Sequence, residues 1–437
     1  MKYYSTNNES PKASLEQAVI QGLAGDKGLY MPEEIPSLPS EFFEKIDQLS
    51  FQEIAYTVAS AFFGKDVPAE DLKQIVYDTL SFDVPLVEIT PNISALELFH
   101  GPTLAFKDVG ARFMARLLGY FTQNQERDKG RDIHVLVATS GDTGSAVANG
   151  FLGVKGVKVH VLYPKGKVSE IQEKQFTTLG QNITALEVEG TFDDCQALVK
   201  SAFMDTELKE KLFLTSANSI NVARFLPQSF YYFYAYAQLK KANKANSVVI
   251  CVPSGNFGNL TAGLFAKKMG LPIKHFIAAN NKNDVFYQYL QTGEYTPRPS
   301  VTTIANAMDV GDPSNFARIL DLYSNNHETI TKEISGIFYL DNQIEQTIQK
   351  VWKEHNYLLD PHGACGYQAL ADLLKNGEQG VFLETAHPAK FLETVENIVK
   401  ESVEIPNKLQ VFLKGEKQSL SISENYDSFK EYLMNLE

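Results

Sequence analysis

Cysteine is scarce in this sequence. The 437 residues contain three, Cys195, Cys251 and Cys365, with no CxxC spacing among them. An odd, unclustered set excludes a disulfide framework and a zinc site and points to reduced thiols, as in a cytoplasmic protein. Long apolar runs are also missing. The longest, such as VVICV at 248–252, are of strand length, far short of the roughly 18 to 20 apolar residues of a membrane-spanning helix. The opening residues MKYYSTNNESPKAS carry no apolar signal-like core, so a soluble, cytoplasmic protein is expected. Positive charge is in deficit. A net charge of −13 argues against nucleic acid or an anionic membrane as partner, yet leaves room for a local basic pocket and an anionic small molecule. The sequence has no internal repeats, no low-complexity tracts, no histidine spacing suited to a metal and no Ser–His–Asp or Cys–His arrangement.

What is present is an ordinary globular composition, 44% hydrophobic and 21% charged, in a chain long enough for two or three domains. Residues 1–92 read as a small, mostly helical N-terminal domain. SLEQAVIQGLA follows a capping serine, and SFQEIAYTVASAFFG and AEDLKQIVYDTL have helical periodicity. From residue 93 short β-branched runs alternate with helical segments. IHVLVA, VKVHVLYP, SVVICVP and PIKHFIAAN read as buried strands, with GSAVANGFLG and NLTAGLFAKKMG as helices between them. Strand–helix–strand units of this length predict an α/β fold with mainly parallel sheets covered by helices over residues 93–395, built as two sub-domains. Residues 396–437, ending in the helical SFKEYLMNLE, are expected to pack on that region as a C-terminal segment.

Three segments carry chemistry. SGNFGN (254–259) lies between a strand and a helix, where glycines let backbone N–H groups converge on a phosphate. It is neither GxxxxGK[ST] nor GxGxxG, which disfavours nucleoside triphosphates and dinucleotides, and a plain tight turn is the competing reading. TSGDTGS (139–145) gathers Thr139, Ser140, Asp142 and Thr143 at a helix start, more polar groups than a single cap requires. In FHGPTLAFKDVGARF (99–113), Lys107 sits in apolar company at a helix start. Desolvation and the helix-end potential both disfavour its charged form, as a Schiff-base lysine needs, although most lysines are solvated surface charges.

Together with QGLAGDKGLYMPEEIP, SANSINVARFLPQ, NAMDVGDPSNF and TAHPAKF, these segments closely resemble the threonine synthase family of fold-type II (tryptophan synthase β-like) pyridoxal-phosphate enzymes. The resemblance implies pyridoxal 5′-phosphate as cofactor, Lys107 as the Schiff-base lysine, and Gly255, Asn256, Phe257, Gly258 and Asn259 as the cradle for the cofactor phosphate. It implies Thr385 at the pyridine nitrogen. Asp142 stands where many relatives in this fold type place Asn, near the cofactor hydroxyl. Thr139, Ser140 and Thr143 would face the substrate, and Asn218, Ser219 and Arg224 its phosphate. His362, in DPHGACGY, reads as a polar residue at a turn and His387 as loop chemistry ahead of Pro388, while His100, within the lysine motif, is open to two readings, a contact with the site or helix-entry geometry.

The implied activity is that of a carbon–oxygen lyase acting on phosphate, which turns O-phospho-L-homoserine and water into L-threonine and phosphate in the last step of threonine biosynthesis. No metal is implied, and the chain is expected to be a monomer or homodimer. Two alternatives share the lysine and glycine-turn logic. One is a serine or threonine dehydratase, which needs no second phosphate site; the other is a non-catalytic relative that binds cofactor as a sensor.

Overall fold

The structure is a computed structural model and describes residues 1–124 and 132–436. The chain forms two compact units. One comprises Met1, Met31–Phe106 and Phe225–Glu404; the other comprises Lys2–Tyr30, Lys107–Arg224 and Ile405–Glu437.

The first unit is built on a six-stranded sheet whose spatial order is Ile334–Phe338, His275–Asn280, Val248–Pro253, Gln379–Glu384, Ile93–Glu97 and Leu86–Thr90. All neighbours run parallel except the last pair, which is antiparallel. Every residue of Val248–Pro253 is buried, as expected for a parallel strand covered on both faces. The covering core includes Val249, Cys251, Ile277, Ala279, Ile344, Ile348, Val351 and Phe382. The helix Phe51–Phe63 begins at a Ser50–Glu53 capping box and buries Ile54, Ala55, Val58, Ala59, Phe62 and Phe63. Phe51 stacks on Tyr234 at 4.5 Å between ring centroids, which docks this helix on Ser229–Lys241.

The second unit is built on a five-stranded, all-parallel sheet in the order Leu420–Ile422, Ile183–Val188, Val157–Pro164, Ile133–Ala138, Phe213–Ser216. The helices Lys107–Asn124 and Asp142–Phe151 belong to it and approach closely. A Cβ on Gly150 would lie 3.0 Å from the Ala111 carbonyl carbon.

The expected boundaries shift in two places. The stretch 1–92 is not one body. Residues 2–30 join the five-stranded unit, where the Val19 carbonyl accepts from Asn221 Nδ2 (2.8 Å) and Thr215 Oγ1 (3.3 Å), while the helices after residue 40 join the six-stranded unit. The C-terminal segment, expected from 396, changes unit at Ile405. The helical periodicity of each piece was readable. Its packing partner, some 200 residues away, leaves no mark in a local window.

The C-terminus has a clear structural part. Leu420–Ile422 adds an edge strand, and the helix Tyr426–Met434 buries Phe429 and Leu433 against Leu186, Val188, Cys195 and Leu198. Tyr432 also reaches a buried histidine pair: its hydroxyl lies 2.8 Å from His160 Nδ1, whose Nε2 lies 3.0 Å from His134 Nδ1. Burial, followed by the charges of His134 and Lys158, pushes the pKa of His160 down to about 3. A folded-state value below the ordinary 6.5 means that the unfolded chain takes up the proton first. Stability therefore falls as pH drops below 6.5, by about 2 kcal/mol at pH 5 for this group. Thermal denaturation of His160→Gln should accordingly show a shallower loss of Tm between about pH 6.5 and pH 4.5 than the parent. Parallel curves would show that this ring carries no acid liability.

Candidate active site

In each unit the candidate residues collect at the carboxyl edge of the parallel sheet, where α/β folds bind ligands.

In the six-stranded unit the central strand Val248–Pro253 runs into the turn 254–257 and then the helix Gly258–Lys268. Ser254 is fastened on both sides, its N–H donating to Ala279 O (2.8 Å) and its carbonyl accepting from Asn280 Nδ2 (2.8 Å). Gly255 is required by crowding. A Cβ there would lie 2.7 Å from Ala307 O and 2.9 Å from Met308 Cα. Phe257 adopts a left-handed φ of 60° and packs its ring on Phe286 at 4.6 Å. The helix begins with no side-chain cap, so its first N–H groups present positive potential at the turn. Asn259 is buried. Its Oδ1 and carbonyl both accept from Tyr232 Oη at 2.8 Å, and its Nδ2 donor has no protein partner. Asn256 turns its amide oxygen to Ser314 N–H (2.6 Å), and its carbonyl accepts from Asn315 Nδ2 (3.0 Å). Asn315 in turn accepts from the buried Arg318 guanidinium at 2.6 Å.

The neighbouring parallel strand Gln379–Glu384 delivers Thr385 to the same edge, and the next, Ile93–Glu97, delivers the segment that leads to Lys107. Phe106, the residue before Lys107, donates to Thr385 O at 2.8 Å, and Ala105 bridges to Ala386. Beside Thr385 stands Glu384, fully buried, with Oε1 accepting from Asp360 N–H (2.8 Å). Burial, then the negative charge of Asp360, pushes this carboxyl well above the usual carboxylate range. His387 donates nothing at Nδ1, which accepts from Ala389 N–H at 3.1 Å. Burial and the neighbouring His100 lower its pKa to about 4.

In the five-stranded unit Lys107 opens the helix Lys107–Asn124, half-buried, followed by the buried Asp108. One turn on, Gly110 is needed because a Cβ would lie 2.5 Å from Arg224 O. The strand Ile133–Ala138 runs into the turn 139–145. The Thr139 hydroxyl accepts from Gly141 N–H (2.9 Å) and Gly144 N–H (2.8 Å), which shapes the turn. Asp142 is buried and accepts from Gln172 Nε2 (2.8 Å); Ser140 and Thr143 are half-buried. From the adjacent strand Phe213–Ser216, Asn218 reaches back to Ala138 O (3.4 Å). Ser219 follows, half-buried, and Arg224 is buried with one guanidinium nitrogen donating to Ala217 O.

Sequence reasoning missed Gln172, Glu384 and Asp360, and it quoted NAMDVGDPSNF without assigning that loop its place behind Gly255. His362, read as a polar residue at a turn, lies buried in the first turn of the helix Pro361–Leu373, capped by Asp360. Asp-Pro before an apolar run is the N-cap and N1 pattern, and it marked this helix start. Among the described residues no cluster of acidic, histidine or cysteine side chains suits a metal, and no helix is long and apolar enough to cross a membrane.

Comparison with known proteins gives the class first. Residues 88–383 match the family model described as pyridoxal-phosphate dependent enzyme. Residues 2–80 match the threonine synthase N terminus and 363–433 the threonine synthase C-terminal family. The threonine synthase of Haemophilus influenzae is 47% identical over 94% of both chains, and that of Escherichia coli 45% over the same shares. The crystal structure of Escherichia coli threonine synthase superposes with a TM-score of 0.92 at 43% identity over all of both chains. A PLP-bound threonine synthase from Brucella melitensis does so with 0.92 at 35% identity, covering 99% of this chain and 98% of that one. The chain belongs to the threonine synthase family of pyridoxal-phosphate-dependent enzymes. Maize serine racemase, at 15% identity and a TM-score of 0.54, shares the fold alone.

The turn fits the cofactor's phosphate. Converging backbone N–H groups, an uncapped helix end and the orphaned Asn259 amide suit a doubly charged group with three acceptor oxygens. The clash geometry at Gly255 sets a test. Gly255→Ala should cost about 1–3 kcal/mol of stability and weaken pyridoxal-phosphate retention about tenfold or more. Gly25→Ala, whose Cβ would meet only Ser10 Oγ at 3.5 Å, serves as control and should change neither. Equal cofactor affinity of the Gly255 variant and the parent, read by equilibrium dialysis, would contradict the reading.

Proposed function

We propose that this chain converts O-phospho-L-homoserine and water into L-threonine and phosphate, with pyridoxal 5′-phosphate held on Lys107. What supports this reading is that the edge of the six-stranded sheet carries the uncapped helix start after 254–257 with the unpartnered Asn259 Nδ2, while the edge of the five-stranded sheet carries Asn218, Ser219 and the buried Arg224. Serving a phosphorylated cofactor and a phosphorylated substrate takes two such places, whereas a dehydratase needs one.

The cofactor supplies an electron sink for the electrons released when a proton leaves the substrate's α-carbon. Every other task falls to the protein. The N–H groups at the start of Gly258–Lys268, with Asn259 Nδ2, hold the cofactor phosphate. The Thr385 hydroxyl would partner the ring nitrogen, and Asp142, which accepts from Gln172, would partner the cofactor hydroxyl. The Lys107 amine would hold the cofactor and, once freed, would take the proton from Cα and later return one. Thr139, Ser140 and Thr143 would orient the substrate. Asn218 and Ser219 bind its phosphate, with Arg224 ordering the turn through Ala217 and adding positive charge. The departing phosphate would itself serve as an acid or base for the β-carbon proton and the incoming water. A cytoplasmic location and a monomeric or homodimeric state belong to the same reading.

Incubation of the cofactor-loaded protein with O-phosphohomoserine should release phosphate and threonine in equal amounts, and incubation with threonine should give no 2-oxobutanoate. Lys107→Ala should keep the fold by circular dichroism, lose the visible absorbance of covalently held cofactor and lose turnover. Formation of 2-oxobutanoate from threonine without phosphate release from the phosphorylated substrate would sink the assignment in favour of a dehydratase.

A further inference from the structure

We propose that His362 is a positioning residue for the phosphate-binding turn, acting through the backbone of Ala307. The inference rests on the reading of residues 255–259 as the seat of the cofactor phosphate.

His362 is buried in the first turn of Pro361–Leu373, its ring packed on Phe391 at 5.0 Å between centroids. Its two nitrogens have different partners. Nε2 lies 3.1 Å from Ala307 N, and Nδ1 lies 2.5 Å from Asp360 Oδ1. A backbone N–H can only donate, so Nε2 presents its lone pair and the ring proton sits on Nδ1, directed at the carboxylate. The tautomer is therefore dictated by geometry. Ala307 is also the residue whose carbonyl would meet a Cβ on Gly255 at 2.7 Å, with Met308 Cα at 2.9 Å. The imidazole holds the N–H side of the very peptide stretch against which the phosphate turn is pressed. On the far side of the same turn, Asn256 is fastened by Ser314 and Asn315, so the loop is pinned at both ends.

The network reaches further. Asp360 caps the helix by accepting from His362 N (2.7 Å), and its own N–H donates to Glu384, the residue before Thr385. One chain of hydrogen bonds thus links the loop behind the phosphate turn to the strand end that carries Thr385. A histidine kept only to fill space would be replaceable by any flat ring. One that positions Ala307 is replaceable only by a side chain with an acceptor where Nε2 stands.

The test compares His362→Phe, which keeps the ring and lacks the acceptor, with His362→Gln, which places an amide oxygen near the Nε2 position. In protein without cofactor, amide hydrogen exchange over residues 305–309 should speed up about tenfold or more in the Phe variant and stay near the parent in the Gln variant. Pyridoxal-phosphate affinity should fall about tenfold or more in the Phe variant, with a shifted 31P resonance of the bound cofactor, and recover in the Gln variant. KM for O-phosphohomoserine at saturating cofactor should not move. If the Phe variant does not fold, His362→Asn, too short to reach Ala307, supplies the same comparison. Equal impairment by Phe and Gln, or unchanged exchange in the Phe variant, would overturn the proposal. Faster exchange with unchanged cofactor affinity would overturn it through its premise, showing that the phosphate does not rest on 255–259, and would leave turnover by Lys107 untouched.

Discussion

At Gly255 two stretches of backbone lie closer than any side chain permits, and the chemistry of the six-stranded unit depends on that approach. The turn can cradle an anion only if its N–H groups stay convergent, which requires support behind the turn where no ligand is present to help. The loop 305–315 gives that support through Ala307 and Met308 on one side and through Ser314 and Asn315 on the other. The central strand Val248–Pro253, buried along its whole length, fixes where the turn begins. Phe257, in the left-handed region, fixes where the helix starts.

Around that support the unit stores polar groups that would be costly to bury alone. Burial and Asp360 push the Glu384 carboxyl well above the usual carboxylate range. Asp309, in the same loop, accepts from Thr303 Oγ1 and Asn281 Nδ2 at 2.7 Å each, and burial still pushes its pKa up to about 6. Buried carboxyls in such numbers are expensive unless hydrogen-bonded, and they gather where a rigid, predefined geometry is needed. The second unit solves its turn differently. There one hydroxyl, Thr139, gathers two glycine N–H groups, and Gly141, with φ 144°, leaves room for Gln172. Reusing the parallel-sheet edge twice gives one chain two polar turns, each backed by its own core.

Much of this was legible in the sequence because the signals are local. The strands at 133–138, 157–164 and 248–253 and the helices at 51–63 and 142–151 follow from β-branched runs, capping boxes and 3.6-residue periodicity. The two glycine turns and Lys107 were visible because glycine and a lysine at a helix start have specific physical uses. What could not be read was long-range partnership. Nothing near Leu15 says that its helix packs with the strand at 213–216, and nothing near His362 says that its ring faces Ala307, 55 residues earlier. Thr139 and Thr143 look alike in the sequence. Only the structure separates the buried hydroxyl that gathers two glycine N–H groups from the half-buried one at Thr143.

The account stands on the Lys107 amine being the covalent seat of the cofactor, and borohydride reduction of the loaded protein tests this most directly. Proteolysis and mass spectrometry should then find the pyridoxyl group on the peptide containing Lys107 and on no other lysine. A stable label elsewhere, or no label on a protein that retains its cofactor, would contradict the account.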